Sequence, residues 1–243
     1  MTNNSFDNLM MIGRAAAGKS EFIDFIKHLS ENERLKKFHI GSFEEMDDFP
    51  WLFQAFQEED IWEKLGRPRR LSTKTDSIYN TTDYDIYKFL TLKFNIEIKK
   101  KLRDEPDFYN TKTLFVEYAR GRENCYKETI NLFEPNILRN TAIFYIDNTF
   151  EESLRRNTVR SSDKDDNQTI LHHKTPLSVM EYYYRTHDWY EMTDKKPSGY
   201  IETHGVKIPF VTVWNMPESH DLKVLEERYS PALETLWKLH ANR

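Results

Sequence analysis

The chain has 243 residues, 38% hydrophobic and 14% aromatic, which is enough apolar mass for a sizeable core. A formal charge of −5, from 35 basic and 40 acidic side chains, gives no general attraction to polyanions and makes nucleic acid an unfavoured partner. A single cysteine, Cys125, excludes an internal disulfide framework, and 7 glycines with 9 prolines exclude a low-complexity chain.

The opening "MTNNSFDN" lacks the basic-then-apolar pattern of a secretory signal. No stretch approaches the roughly 20 apolar residues of a membrane helix, so the expectation is a soluble cytoplasmic protein without membrane association.

In chain order, "NLMMI" (8–12) predicts a short buried strand ending at Gly13. The loop "GRAAAGKS" (13–20) follows, and "SEFIDFIKHL" then sets Phe22, Ile23, Phe25, Ile26 and Leu29 on one helical face. Ser30 with Glu33 forms a capping pair for a second helix, and "KFHIGSF" (37–43) reads as the second strand, running into the acidic turn "EEMDDFP". Residues 51–65 are helical in pattern, "GRPRRLSTKTDSIYNTT" (66–82) is a polar basic connection, and a long helix is expected over 83–103, capped near Thr82.

"TLFVEY" (113–118) and "TAIFYID" (141–147) are near-continuous apolar strands. "FEESLRRNTVR" (150–160) returns to helix before the loop-like "SSDKDDNQ", and another helix is expected around 176–187. "GYIETHGVKI" predicts a hairpin and "PFVTVW" a last strand. The helix through "LKVLEERYSPALETLWKL" carries Pro231 as a candidate break.

Apolar strands alternating with helices predict an α/β fold, a three-layer α/β/α sandwich around a mainly parallel sheet. With right-handed crossovers the strand ends "IG", "FEEMDD", "EYARG", "IDN" and "WNMP" gather along one edge, where ligands of such sheets bind.

Between a predicted strand and a predicted helix, Gly-x-x-x-x-Gly-Lys-Ser is the pattern of a phosphate cradle. Gly13, Arg14, Ala15, Ala16, Ala17, Gly18, Lys19, Ser20 and Glu21 bring main-chain N–H groups and a helix N-terminus to the phosphates. Lys19 reaches the β- and γ-phosphates, and the Ser20 hydroxyl is a Mg²⁺ ligand. The three alanines keep the main-chain donors but disfavour positive φ, which predicts a stiffer loop than a glycine-rich one.

With this loop the chain resembles the P-loop nucleoside triphosphate hydrolases, in their nucleoside and nucleotide kinase-like branch. The resemblance implies one kinase-like domain over 1–243, with an acceptor-side helical insertion at about 50–110 and a lid at about 155–175. It implies Glu117, in "LFVEYARG", as the strand-end carboxylate beside the metal. It also implies catalytic arginines on the lid helix, with Arg155, Arg156 and Arg160 available. Arg156 and Arg160 share a face at i, i+4.

"GSFEEMDDFPW" resembles the Asp-Asp-Phe stretch of uridine-kinase-like enzymes, which makes Asp47 and Asp48 candidates for the catalytic base, Asp48 preferred. Arg120 and Arg122 are candidates to grip the acceptor, as are Arg67, Arg69 and Arg70 in "GRPRR". Asn215, after the last strand, stands where relatives touch the purine base.

The expected activity is ATP- and Mg²⁺-dependent phosphoryl transfer to a small molecule, with a nucleoside triphosphate as the partner. The alternative is a P-loop NTPase or NTP-sensing module that hydrolyses ATP or GTP without an acceptor. Phosphorylation of nucleic-acid ends would need a basic groove that the charge balance does not promise. No cysteine pair or His-Glu-x-x-His pattern points to zinc, and Cys125 has no activating neighbour in sequence.

Overall fold

The structure is a computed structural model that describes residues 4–75, 78–159 and 175–243. Strand β1 (Asn8–Gly13) is buried along its whole length and turns into α1 (Lys19–His28). Helix α2 (Glu31–Phe38) starts at the expected capping box: the Ser30 hydroxyl accepts from the Glu33 N–H, and the Glu33 carboxylate accepts from the Ser30 N–H. The second strand, β2 (Ser42–Asp47), begins later than the sequence suggests. "KFH" belongs to the end of α2, and "EEMD", read as a turn, is strand. It is an edge strand, so its glutamates face ammonium groups instead of a core: Glu44 accepts from Lys101 and Lys112, both at 2.6 Å.

Helix α3 (Asp48–Lys64) follows directly. The basic connection holds an antiparallel pair, β3 (Ser72–Thr75) with β4 (Ile78–Thr81), and α4 (Ile86–Asp104) comes next. A short α5 (Phe108–Thr111) leads into β5 (Lys112–Ala119). Then come α6 (Cys125–Asn131), α7 (Pro135–Arg139) and β6 (Thr141–Asp147). Helix α8 covers Phe150–Val159. The helix expected at 176–187 is the shorter α9 (Leu177–Tyr183), and a further short helix, α10 (Trp189–Met192), follows it. Strands β7 (Ser198–Thr203) and β8 (Val206–Trp214) form the hairpin, and α11 (Leu222–Ala241) runs unbroken through Pro231.

The six-stranded sheet has the order β2-β5-β1-β6-β8-β7. Every pairing is parallel except the β7–β8 hairpin at one edge. Alternate residues feed opposite layers, as strand geometry requires. Met10, Ile12, Val116 and Tyr145 pack with Phe94 and Ile98 of α4, Tyr126 of α6 and Trp189 of α10. Leu9, Met11, Phe115 and Phe144 pack with Phe22 and Phe25 of α1 and with Tyr229 and Leu233 of α11. The fold is therefore a three-layer α/β/α sandwich. A third cluster joins α3, α4 and α9 through Leu52, Phe56, Tyr87, Met180, Tyr183 and Tyr184.

Among the described residues, no helix is long and apolar enough to cross a membrane.

Candidate active site

The loop between β1 and α1 is shaped by close approaches. A Cβ on Gly13 would lie 2.3 Å from the Ile146 carbonyl oxygen, and one on Gly18 would lie 2.0 Å from Asn215 Nδ2. Gly18 caps α1 at φ +108, in the region that favours glycine. Between them the Ala17 N–H bonds the Arg14 carbonyl at 3.3 Å, and Ala16 takes φ +58. The alanines therefore do not keep the loop out of positive φ. The turn over Arg14–Ala17 needs a left-handed residue at its third position, and an alanine supplies it at a steric cost.

Lys19 is 6% exposed; its ammonium donates to the Arg14 carbonyl at 3.1 Å and lies 3.9 Å from Glu117 Oε1. Ser20 sits in the first turn of α1 and is exposed.

On the β8 side the loop is held by a dense hydrogen-bond network. The Asn215 amide donates to the Ala17 carbonyl at 2.9 Å and to Glu21 at 3.4 Å, and its oxygen accepts from Arg228 and from Tyr229. Arg156, 1% exposed, donates to the Ala17 carbonyl at 3.3 Å, the Asn215 carbonyl at 2.7 Å and Glu152 at 2.7 Å. Burial pushes the Glu21 carboxyl up, while Asn215 and Arg156 pull it down. Ser153 adds a short hydrogen bond to the Ala15 carbonyl. Asn215 is fully buried and Arg156 nearly so, and both hold loop carbonyls. Arg155 is exposed and pairs with Glu152 and Glu218, and Arg160 lies outside the described residues.

On the β5 side carboxylates collect. Parallel pairing sets Met11 of β1 beside Glu117 of β5, and Glu117 beside Asp47 of β2. Asp47 caps α3 by accepting from the Phe49 N–H at 3.0 Å. Burial, with Glu117 and Asp48 nearby, pushes its carboxyl up to about 8, against the opposing pull of that cap and of Lys19.

Asp48 and Arg120 are both buried and pair with each other at 2.6 Å. Burial pushes the Asp48 carboxyl up and Arg120 pulls against it. Arg120 also donates to the Ala119 and Tyr87 carbonyls and to the Thr91 hydroxyl, and it packs over the Tyr87 and Tyr118 rings. Arg122 is exposed, at φ +74, above the rings of Tyr84 and Tyr182. Of the second basic group, Arg69 is tied to Asp60, Glu63 and Ser72, which fastens the β3–β4 hairpin to α3. Cys125 is buried, its thiol pushed up by burial and the neighbouring Asp188.

The strand ends thus bring Lys19, Glu117 and Asp47 together. Ser20 opens the adjoining helix, while Asp48 with Arg120, and Arg156 with Asn215, form buried pairs on either side. Sequence reading passes over Asp147, which ends β6 in "IDN" and lies 3.5 Å from the Arg14 guanidinium. Its position at a parallel strand end is the one signal that marks it. Among the described residues, no group of three or more His, Cys, Asp or Glu side chains is arranged to hold a metal ion.

No protein-family model and no curated protein sequence matches the chain. Solved structures are similar to it at low identity. A sugar kinase from Janibacter sp. HTCC2649 is 11% identical with a TM-score of 0.44, covering 96% of this chain and 98% of that one. TT1252 from Thermus thermophilus is 14% identical with a TM-score of 0.47, covering 95% and 97%. APE1195 is 11% identical with a TM-score of 0.39, covering 95% and 98%.

Proposed function

We propose that the protein is an ATP-dependent phosphotransferase, with the 13–20 loop as donor site and a small molecule as acceptor. The observation that carries this reading is the meeting of Lys19, at the start of α1, with Glu117 and Asp47 on two adjacent parallel strands. A loop of main-chain donors opening a ten-residue helix favours bound phosphate. Lys19, now resting on the Arg14 carbonyl, would turn to the transferring phosphoryl group. Asp47, held near neutrality, has the proton affinity of a base for an acceptor hydroxyl. It takes the hydroxyl proton as the oxygen bonds to the γ-phosphorus, and the bond to the β-phosphate oxygen breaks, leaving ADP.

The oxygen donors at hand, the Ser20 hydroxyl and the Glu117 carboxylate, are of the hard type that suits Mg²⁺. With so few protein ligands, the remainder of the shell would be phosphate oxygens and water. Bound there, Mg²⁺ would neutralise charge on the phosphates.

Lys19→Ala tests the reading. Turnover of ATP with acceptor should fall by about 10²–10³ with the circular-dichroism spectrum unchanged. Undiminished turnover in a folded variant would overturn it.

One observation favours the NTPase or sensing alternative. Tyr183 and Tyr184 of the α9 segment form with Tyr87 an apolar cluster against which the loop's Ala15 packs, so aromatic side chains fill the space beside the loop. The α9 backbone approaches so closely that a Cβ on Gly121 would lie 2.0 Å from the Tyr183 carbonyl oxygen. ATP consumption that no acceptor from a metabolite panel stimulates would decide for this alternative.

A further inference from the structure

A cavity of about 370 Å³ opens at the ends of β6 and β8, with Arg14, Asp147, Asn148, Arg185, Tyr190 and Trp214 in its wall. That volume lies in the lower range of small-molecule sites. Arg14 borders it from the loop, but Lys19, Glu117 and Asp47 do not line it.

Three properties define what it would hold. First, Asp147 and Asn148 are 3% and 1% exposed; the Asn148 amide oxygen is buried without a hydrogen bond, and Asp147 Oδ1, also without one, has the Arg14 guanidinium at 3.5 Å. A buried acceptor without a hydrogen bond is costly, so the amide oxygen and the weakly paired carboxylate oxygen beside it call for a ligand rich in donors, such as neighbouring hydroxyl groups. The other carboxylate oxygen of Asp147 already accepts from the Tyr190 hydroxyl.

Second, the charge of the wall is positive. Arg14 and Arg185 stand against the one carboxylate, and His187 is pushed down to about 4, chiefly by burial, which leaves it neutral at physiological pH. Arg185 rests over the Phe150 ring, 4.9 Å from its centre. Two guanidiniums against one carboxylate leave a positive charge for an anionic end.

Third, Trp214 is 50% exposed at the rim and Tyr190 is 37% exposed. An indole face with polar groups beside it suits the C–H face of a sugar ring or chain.

We infer that this cavity binds a small polyhydroxylated anion, with hydroxyls on Asp147 and Asn148 and the anionic end towards Arg14 and Arg185. The inference stands whatever the loop binds.

The test is titration of the full chain with ribose 5-phosphate, ribonate, ribitol and inorganic phosphate, followed by tryptophan fluorescence and calorimetry. At least one of the two anionic polyols should saturate below ~1 mM, with ribitol and phosphate weaker by about tenfold or more. Comparing ribose 5-phosphate with ribonate distinguishes a phosphate end from a carboxylate end. Arg185→Gln should lower affinity for the anionic polyols by about tenfold and leave ribitol unchanged. Trp214→Phe should remove the fluorescence change while the calorimetric signal persists. Lys19→Ala should bind the anionic polyol as the parent does.

Absence of saturation by both anionic polyols up to about 10 mM would overturn the inference. So would unchanged affinity in Arg185→Gln, or loss of binding in a folded Lys19→Ala.

Discussion

The two flanks of the 13–20 loop are built in opposite ways. On the β8 side, Arg156, Asn215 and Arg228 meet carbonyls and carboxylates in nearly complete pairing around Ala17 and Glu21. On the β5 side, Asp47 and Glu117 adjoin one another beside Lys19, and burial with like charge drives the Asp47 carboxyl far from its ordinary range. A densely paired network fixes geometry, whereas crowded carboxylates hold a proton poised to move. One flank positions the loop, and the other is where the proposed transfer would handle protons and phosphoryl groups. Breaking each flank in turn should give different signatures.

The largest effect is expected at Asp47. Asp47→Asn should lower kcat of the proposed transfer by about 10²–10⁴ and remove the rise of rate with pH towards about 8. Its stability signature is opposite in sign. The folded carboxyl titrates near 8 against an ordinary 3.8, so the folded state binds the extra proton between those values. That contribution to stability is present at low pH and is lost as pH rises through about 8. Asp47→Asn should therefore melt higher than the parent at pH 8, with the difference shrinking by pH 5. Equal melting temperatures at both values would show that the carboxylates are not in conflict.

Arg156→Ala strikes the other flank and should act on stability first. It strips partners from the Ala17 and Asn215 carbonyls and from Glu152, all at a side chain only 1% exposed. Breaking a buried pair of this kind costs about 3–5 kcal/mol, read from urea denaturation. Arg156→Lys should recover little, because an ammonium cannot reproduce the planar fork across three acceptors. A loss below about 1 kcal/mol would mean the guanidinium is solvent-screened and free to serve as a lid arginine.

Much of the frame is legible in the sequence, because β1, β5 and β6 are buried on both faces and read as unbroken apolar runs. The edge strand β2 escapes this signal: its Glu44 is satisfied by lysines of α4 and β5 that lie 57 and 68 residues away. The β3–β4 pair escapes for the same reason, being polar and fastened through Arg69. At the site, residue types and strand ends are readable, which is how Lys19, Glu117 and Asp47 come forward. Pairing is not readable. Asp48 and Arg120 look like two independent functional groups until the fold closes 72 residues between them. The i, i+4 spacing of Arg156 and Arg160 says they share a face but not that Arg156 turns inward to the loop.

Asn215→Ala should cost less than the loss of Arg156, about 1–3 kcal/mol, for the hydrogen bonds lost at the Ala17 carbonyl and at Arg228. Because the amide backs the loop, the nucleotide KM should rise more than kcat falls. An equal effect on both would place Asn215 on the chemical flank instead.

The smallest change tests the loop itself. Ala16 holds φ +58 in a turn whose ends are pinned at Gly13 and Gly18 by contacts that no Cβ could share. An L-residue in that conformation costs roughly 1–2 kcal/mol, and glycine removes the cost while adding roughly 0.5–1 kcal/mol of unfolded-state freedom. Ala16→Gly should therefore stabilise the protein slightly, by about 0.5 kcal/mol, with kcat and KM within about twofold of the parent. The strain would then be local and carried by the positioning flank. A loss of about 1 kcal/mol or more would mean that the Ala16 methyl makes contacts worth more than its backbone strain.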